Sequence, residues 1–258
     1  MSEKNGGASV LDLVEEHAEF VRGKKVLLDL SPGPGAVGMI LANVLLEQKG
    51  VRRVKSLFSP HFPQVCLIDS EGVSSLPKVE VYQYVDSVNA VVLVRNFVVD
   101  STEAGESVSE RLVRDLGIIP EDLLIVVSSS RFTGTGDLYV ASTDQELLRR
   151  AVALGAKMAP SMDALPMDRL SSALLRRCVI SGARAMFVVA DTEAFMPDFR
   201  ATKRLAQLIS TLLGIQIDTT RLDEEVAKQQ RFIQQMERAV RGMLEHGEEE
   251  ERRPSYIG

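Results

Sequence analysis

A chain of 258 residues with 45% hydrophobic side chains has enough apolar material for a full core, as one large α/β domain or two small ones. Its formal charge of −6 and pI near 5.3 exclude the basic footprint that nucleic acid or an acidic lipid surface requires. No run of about 18 apolar residues occurs, and the opening MSEKNGGAS lacks the apolar stretch of a secretory signal, so a cytoplasmic protein without a membrane partner is expected.

After an N-terminal segment, residues 1–24, short β-branched runs alternate with amphipathic stretches, the order of a sheet covered by helices. The predicted strands are Val26–Leu30, Arg53–Phe58, Gln64–Ile68, Lys78–Val85, Ala90–Val99, Leu123–Ser128, Asp137–Ala141 and Ala185–Ala190. Runs such as VVLV and LLIVV are apolar throughout, as in strands buried on both faces. Helices are predicted over Ala36–Lys49, Ser107–Leu116, Asp144–Leu154, Met167–Ser181 and Asp198–Leu213, each stopped by a glycine: Gly50, Gly117, Gly155, Gly182 and Gly214. Ser107 and Asp144 stand where N-caps belong, Ser107 with Glu110 in the capping-box position. The α/β core thus spans residues 25–218. Residues 219–247 read as one long helix, and residues 248–258 as a charged flexible tail. Along that helix Leu222, Val226, Gln229, Ile233, Met236, Val240 and Met243 recur in steps of four and three, a heptad seam that suits packing on its own domain or on another subunit. Cys66 and Cys178 stand alone in apolar sequence and are expected to be small buried hydrophobes.

The stretch VLLDLSPGPGAVGM carries Gly33-x-Gly35-x-x-Gly38 between a predicted strand and helix, the spacing of a dinucleotide fingerprint. The acid that such a site places about twenty residues later, to hold a ribose, is missing from RRVKSLFSP. Pro34 removes one N–H from the turn, and Lys-Ser/Thr does not follow Gly38 as a P-loop requires. Arg52, Arg53 and Lys55 either meet a ribose phosphate or solvate a strand edge or strand start. The loop SSSRFTGTGD, Ser128 to Asp137, is either an anion or substrate loop at the carboxyl end of the sheet or a connector. His17, His61 and His246 form no H-x-x-x-H, and no C-x-x-C or G-x-S-x-G occurs, so no catalytic or metal-binding set is nominated. Asp191 and Glu193, past the strand AMFVVA, hold the best position for a carboxylate role, and a helix cap or solvated turn accounts for them equally.

Four segments together resemble the proteasome assembly chaperone family, in the branch centred on the second assembly chaperone and its archaeal and actinobacterial relatives. SPGPGAVG, Ser31 to Gly38, is similar to the family's aromatic-Pro-Gly-x-Gly-x-x-Gly turn, with Ser31 in place of the aromatic. SPHFP, Ser59 to Pro63, is similar to its Ser-Pro-x-x-Pro segment. LLIVVSSS through DLYVASTD follows its strand, glycine loop and strand. PDFRATKRLAQLISTLLGIQID, Pro197 to Asp218, is similar to its Pro-Asp-x-x-Ala-x-x-x-Leu pattern running to Gly-x-x-Ile-Asp. Around KMAPSMDAL the relatives have glycines that this chain lacks.

The resemblance implies a three-layer α/β/α, nucleoside phosphorylase-like fold, a small homo-oligomer, no established catalysis and no cofactor. On that view Gly33, Pro34, Gly35 and Gly38 form a structural turn, and the partner is the proteasome core particle or its α-subunits. Some relatives dock in pockets of the α-ring through a tail ending hydrophobic-Tyr-any residue. This chain ends Tyr256-Ile257-Gly258, with the tyrosine third from the end and Ser255 before it. The rival is an enzyme on the same fold, acting on a small anion between the glycine turn and the Ser128–Asp137 loop. An older grouping of relatives with ATP-grasp enzymes finds no support here, because the charged and metal-binding set for ATP is missing.

Overall fold

The computed structural model describes residues 13–68, 71–85, 88–131, 135–161, 167–192 and 196–251, with only the backbone course over 236–251. The apolar runs become the middle of a nine-stranded sheet, because a strand covered by helices on both faces has no solvent side on which to place polar residues. In chain order the sheet strands are β1 (Leu13–Glu16), β2 (Val26–Leu30), β3 (Arg52–Phe58), β6 (Val79–Val85), β7 (Asn89–Val94), β8 (Leu123–Ser130), β9 (Leu138–Ser142), β10 (Lys157–Met158) and β11 (Arg184–Asp191). A separate two-stranded pair is formed by β4 (Leu67–Ile68) and β5 (Ser74–Ser75). The main sheet runs β1-β3-β6-β7-β2-β8-β11-β9-β10. Its core, β7-β2-β8-β11, is parallel, so four strands deliver their carboxyl ends to one edge.

The helices are α1 (Val37–Leu46), α2 (Thr102–Leu116), α3 (Gln145–Ala153), α4 (Arg169–Ile180), α5 (Phe199–Leu213) and α6 (Thr220–Glu251). On one face α2 packs on α4. Val108, Leu112 and Leu116 of α2, with Leu170, Leu174 and Cys178 of α4, close a core with Leu27, Val91, Leu93, Leu124, Val126 and Phe187 of the sheet. On the other face α5 packs on α1 and α3. The result is the three-layer α/β/α arrangement expected. The chain divides into two compact units, Met1–Asp218 and Thr219–Gly258. The second holds α6, a single helix of 32 residues.

Four of the five predicted glycine stops stand at helix ends, Gly155 and Gly182 just past the C-caps Leu154 and Ser181, whereas α1 ends at Leu46 with Glu47 as its C-cap, short of Gly50. Gly117 and Gly214 take left-handed φ of 59° and 68° as the C-caps of α2 and α5, a conformation that costs other residues about 1 kcal/mol or more.

Elsewhere local expectation yields to tertiary structure. Helix α2 begins earlier than predicted: its N-cap is Ser101, whose hydroxyl accepts from the Ala104 amide, while Ser107 lies inside the helix and donates to the Ala104 carbonyl. The predicted strand Gln64–Ile68 shrinks to Leu67–Ile68, outside the main sheet, and Cys66 is exposed rather than buried. Cys178 is buried as expected. Lost hydration pushes its thiol up to about 12, so it is protonated and inert at neutral pH. The predicted strand Ala90–Val99 ends at Val94, where the next side chain is drawn into a buried ion network. The N-terminal segment supplies β1, an unpredicted strand that pairs antiparallel with β3.

At the amino ends of β2 and β8 a second buried ion pair ties strand starts together. Lys25 Nζ donates to Asp122 Oδ2 at 2.8 Å and to the Gly23 and Gly117 carbonyls at 3.0 Å each, while Asp122 also accepts from the Lys25 and Ile119 amides. Three partners satisfy the ammonium, which makes its full burial tolerable.

Candidate functional site

The carboxyl ends of β2, β8 and β11 converge with the Gly33–Gly38 turn, the place where open α/β sheets bind ligands. Leaving β2, the chain bonds the Ser31 amide to the Val127 carbonyl at 3.1 Å. It then enters a 3₁₀ turn, Pro34–Ala36, and begins α1 at Val37. Pro34 occupies the start of that turn, where its fixed φ fits and no N–H is needed. The Gly35 carbonyl accepts from the Asp198 amide at 2.8 Å, stapling the turn to the cap of α5.

Each of the three glycines makes room for this protein's own atoms. Gly35 has φ +67°, and a Cβ there would stand 2.9 Å from Thr192. At Gly33 it would stand 2.5 Å from Ser129 Oγ, and at Gly38 it would strike the Ser31 carbonyl oxygen. The close approach that glycine permits is therefore to β8, β11 and the end of β2. Ala36, in the left-handed region at φ 51°, adds strain that this packing holds in place.

The hydroxyls of Ser129 and Thr192 that face the turn are buried and, among the described residues, have no hydrogen-bond partner. A buried unpaired hydroxyl costs roughly 1–3 kcal/mol. Thr192→Val and Ser129→Ala are therefore expected to raise the melting temperature by a few degrees. A drop in either melt would show that the hydroxyl has work to do at this edge.

The remaining nominated residues are occupied. Arg52 Nη2 donates to the Glu19 carbonyl, Arg53 pairs with Glu80 at 2.8 Å, and Lys55 bridges Glu16 and Asp115 at 3.2 Å each. Arg53 and Lys55 are thus ion-paired along β3, and Arg52 is bonded to backbone at its start, in keeping with the second of the two readings. Ser128–Ser130, predicted as the start of a loop, extend β8 in register with Val189–Asp191. Asp191 is fully buried and accepts from the Thr135 amide and hydroxyl at 3.2 Å each, so it ties the glycine loop to the end of β11. Glu193, residues 132–134 of that loop and 162–166 of the KMAPSMDAL segment lie outside the described residues. His17 bonds Ser56 Oγ through Nε2 at 2.9 Å, and His61 is exposed. Among the described residues no group of three or more His, Cys, Asp or Glu is placed to hold a metal ion.

Of the seam, Leu222, Val226, Ile233, Met236, Val240 and Met243 all fall on α6. Val226 is half-buried, and Ile233 is exposed together with Phe232. Tyr256, Ile257 and Gly258 lie outside the described residues.

Sequence reading missed the most heavily bonded group of this edge. Arg95, just past β7, is fully buried. Its Nη1 reaches Asp29 Oδ1 at 2.5 Å, and its Nε and Nη2 grip Asp168 as a fork at 3.0 and 2.9 Å. Ser171 accepts from Arg95 at 2.7 Å and donates to Asp29 at 2.6 Å. Asp168 also accepts the Val99 amide and caps α4 through the Ser171 amide. Burial disfavours the charge on the guanidinium, yet the two carboxylates outweigh this and raise its pKa, so it stays charged. The network locks β2, β7 and α4 together and turns no group toward solvent. The signal was a single carboxylate in the apolar strand VLLDL, which cannot be buried without a partner.

A mixed sheet layered between α2 and α4 on one face and α1, α3 and α5 on the other, with a self-filled glycine turn at its carboxyl edge, defines the class: a three-layer α/β/α protein with a long C-terminal helix. The sequence profile of the PAC2 family matches residues 27–237, and the chain belongs to that family. Its fold is similar to that of Pyrococcus furiosus PbaB, an archaeal proteasome activator (TM-score 0.73, 19% identity, 88% of this chain and 98% of that one). It is also similar to P. furiosus PbaA, an archaeal homolog of proteasome-assembly chaperone (0.68, 20%, 91% and 98%). A PAC2 family protein from Streptomyces avermitilis matches more loosely (0.59, 13%, 83% and 95%). No curated protein matches this chain. Among the described residues no helix is long and apolar enough to cross a membrane.

Proposed function

We propose that the chain is a non-enzymatic, chaperone-like protein that works as a homo-oligomer in the cytoplasm and binds the proteasome core particle or its α-subunits. Membership of the PAC2 family over residues 27–237 carries this reading, and the fold shared with a proteasome activator and an assembly-chaperone homolog supports it. The glycine turn supports the non-enzymatic part, because the space its glycines leave is filled by Ser129, Thr192 and Ser31. The turn of Gly33, Pro34, Gly35 and Gly38 is then structural. No cofactor is needed, and the acidic chain has neither nucleic acid nor membrane as a partner. The interaction elements are the seam of α6 and the tail Tyr256-Ile257-Gly258.

Exposed Phe232 and Ile233 on one helix are apolar surface that self-association would cover. A chain ending at Asp218 is therefore expected to show a lower oligomeric state than the full chain by light scattering, or to aggregate through newly exposed apolar surface. A soluble oligomer of unchanged size would show that α6 assembles nothing.

A further inference from the structure

A cavity of about 410 Å³ opens between the start of β9, the residues just after α3 and one stripe of α5. That volume is in the range of specific ligand pockets. Buried Leu138, Ala156 and Leu208 give it an apolar floor. Arg204, Gln207 and Thr211, at positions i, i+3 and i+7 of α5, stand together on its wall. Arg204 Nη1 donates to the Gly136 carbonyl at 2.9 Å and lies 3.5 Å from Asp137 Oδ1, while its Nε and Nη2 meet no partner among the described residues. That leaves one whole edge of the guanidinium for a ligand.

The charge at this site is positive. Lys157, on the edge strand β10, reaches Asp137 Oδ2 at 2.6 Å, and with Thr135 it holds that carboxyl below its ordinary range. Two cations thus converge on one ionised carboxylate, which leaves one positive charge uncompensated beside an apolar hole. The negative end of α3 offsets little of it, because the Arg150, Ala151 and Val152 carbonyls already accept from the Leu154, Gly155 and Ala156 amides. The excess is also regional. Over 137–161 and 196–213 the chain carries six basic side chains against four acidic ones, on a protein whose net charge is −6. Two of those four, Asp144 and Asp198, are committed as helix caps.

We propose that this cavity binds a small aliphatic carboxylate, with its charged group on the Nε and Nη2 edge of Arg204 and its chain on Leu138, Ala156 and Leu208. A planar carboxylate takes two parallel hydrogen bonds from that edge, a geometry that a neutral amide cannot match. A monoanion balances the single uncompensated charge, which a phosphate dianion would exceed. Gln207 and Thr211, on the same stripe of α5, supply further donors to the carboxylate oxygens. The apolar floor selects for chain length, since each methylene that reaches it should tighten binding about fourfold.

The test is methyl NMR of the full-length protein labelled at leucine and titrated with hexanoate, butyrate and hexanamide. Saturable shifts of the Leu138 and Leu208 methyl signals are expected with hexanoate at millimolar concentration, and butyrate should bind about tenfold more weakly. Exchanging the carboxylate for the amide of hexanamide, or Arg204→Gln in the protein, should each weaken binding about tenfold or more. Arg204 is half-exposed, so the variant should melt with the parent. No saturable shift at those two leucines, equal binding of hexanoate and hexanamide, equal binding of hexanoate and butyrate, or unchanged binding to the Arg204→Gln protein each overturns the proposal. The amide and chain-length comparisons use the unaltered protein and stand even if the variant folds poorly. No proteasome is present in this assay, so its failure leaves the proposed function untouched.

Discussion

An Arg95→Met chain is expected to melt about 10 °C or more below the parent, or to be recovered unfolded, because removing one partner of a buried ion network costs roughly 3–5 kcal/mol. Methionine fills much of the arginine's volume, so the loss would be electrostatic rather than a cavity. Asp29 and Asp168 would face each other in a dry interior with no cation between them. Only Ser171 and backbone amides would remain to compensate, and β7, β2 and the start of α4 would lose their common anchor. Arg95→Met combined with Asp29→Leu should recover part of the loss, since the second change removes one orphaned charge. Melting followed by circular dichroism decides the matter. A single variant within 2 °C of the parent would show that the network contributes little.

Gly38→Ala should be the most damaging of the three glycine substitutions, by about 2–3 kcal/mol, the range of overpacking in a tight interior. Its new methyl would meet the Ser31 carbonyl oxygen, part of a backbone fixed at the end of β2 by the Val127 bond, so the first turn of α1 would have to lift off the sheet. Gly35→Ala comes next, combining a left-handed φ with contact against Thr192. Gly33→Ala should be mildest. Its backbone is extended, which any residue adopts, and its neighbour is the end of a rotatable serine side chain. Thermal melts of the three variants, with and without added nucleotide, give the ranking. A Gly38→Ala protein of parental stability, or nucleotide-dependent stabilisation of the parent alone, would contradict the structural role.

How far the sequence carries this account depends on whether a signal is local. Strand β2 was predicted to the residue, and the glycines after α2 and α5 were placed correctly, because apolar runs and left-handed caps are written in adjacent residues. Family membership was legible in short motifs such as SPGPGAVG and PDFRATKRL. Ser101 was passed over for Ser107 because Gly105 weakens the helical pattern between them. In the fold that glycine lets α2 approach the Arg169 backbone of α4, a long-range reason for a local irregularity. The Arg95 network joins residues 66 and 73 apart in sequence, and neither spacing marks it. Cys66 was read as buried from its apolar neighbours QVCLI, yet that segment projects from the main sheet with Ile68 and Val65 exposed. The self-filled glycine turn was a choice between two readings. The distances from Gly33, Gly35 and Gly38 to their neighbours on β8, β11 and β2 could come only from the folded chain.

The central claim, that this chain engages the proteasome, is tested most directly by co-sedimentation of the purified full-length protein with a purified core particle from the same organism. The account predicts co-migration at micromolar concentration, weakened when Tyr256–Gly258 are deleted, while that deletion leaves the oligomer and its melting temperature unchanged. Absence of co-migration with both the core particle and isolated α-subunits would contradict it.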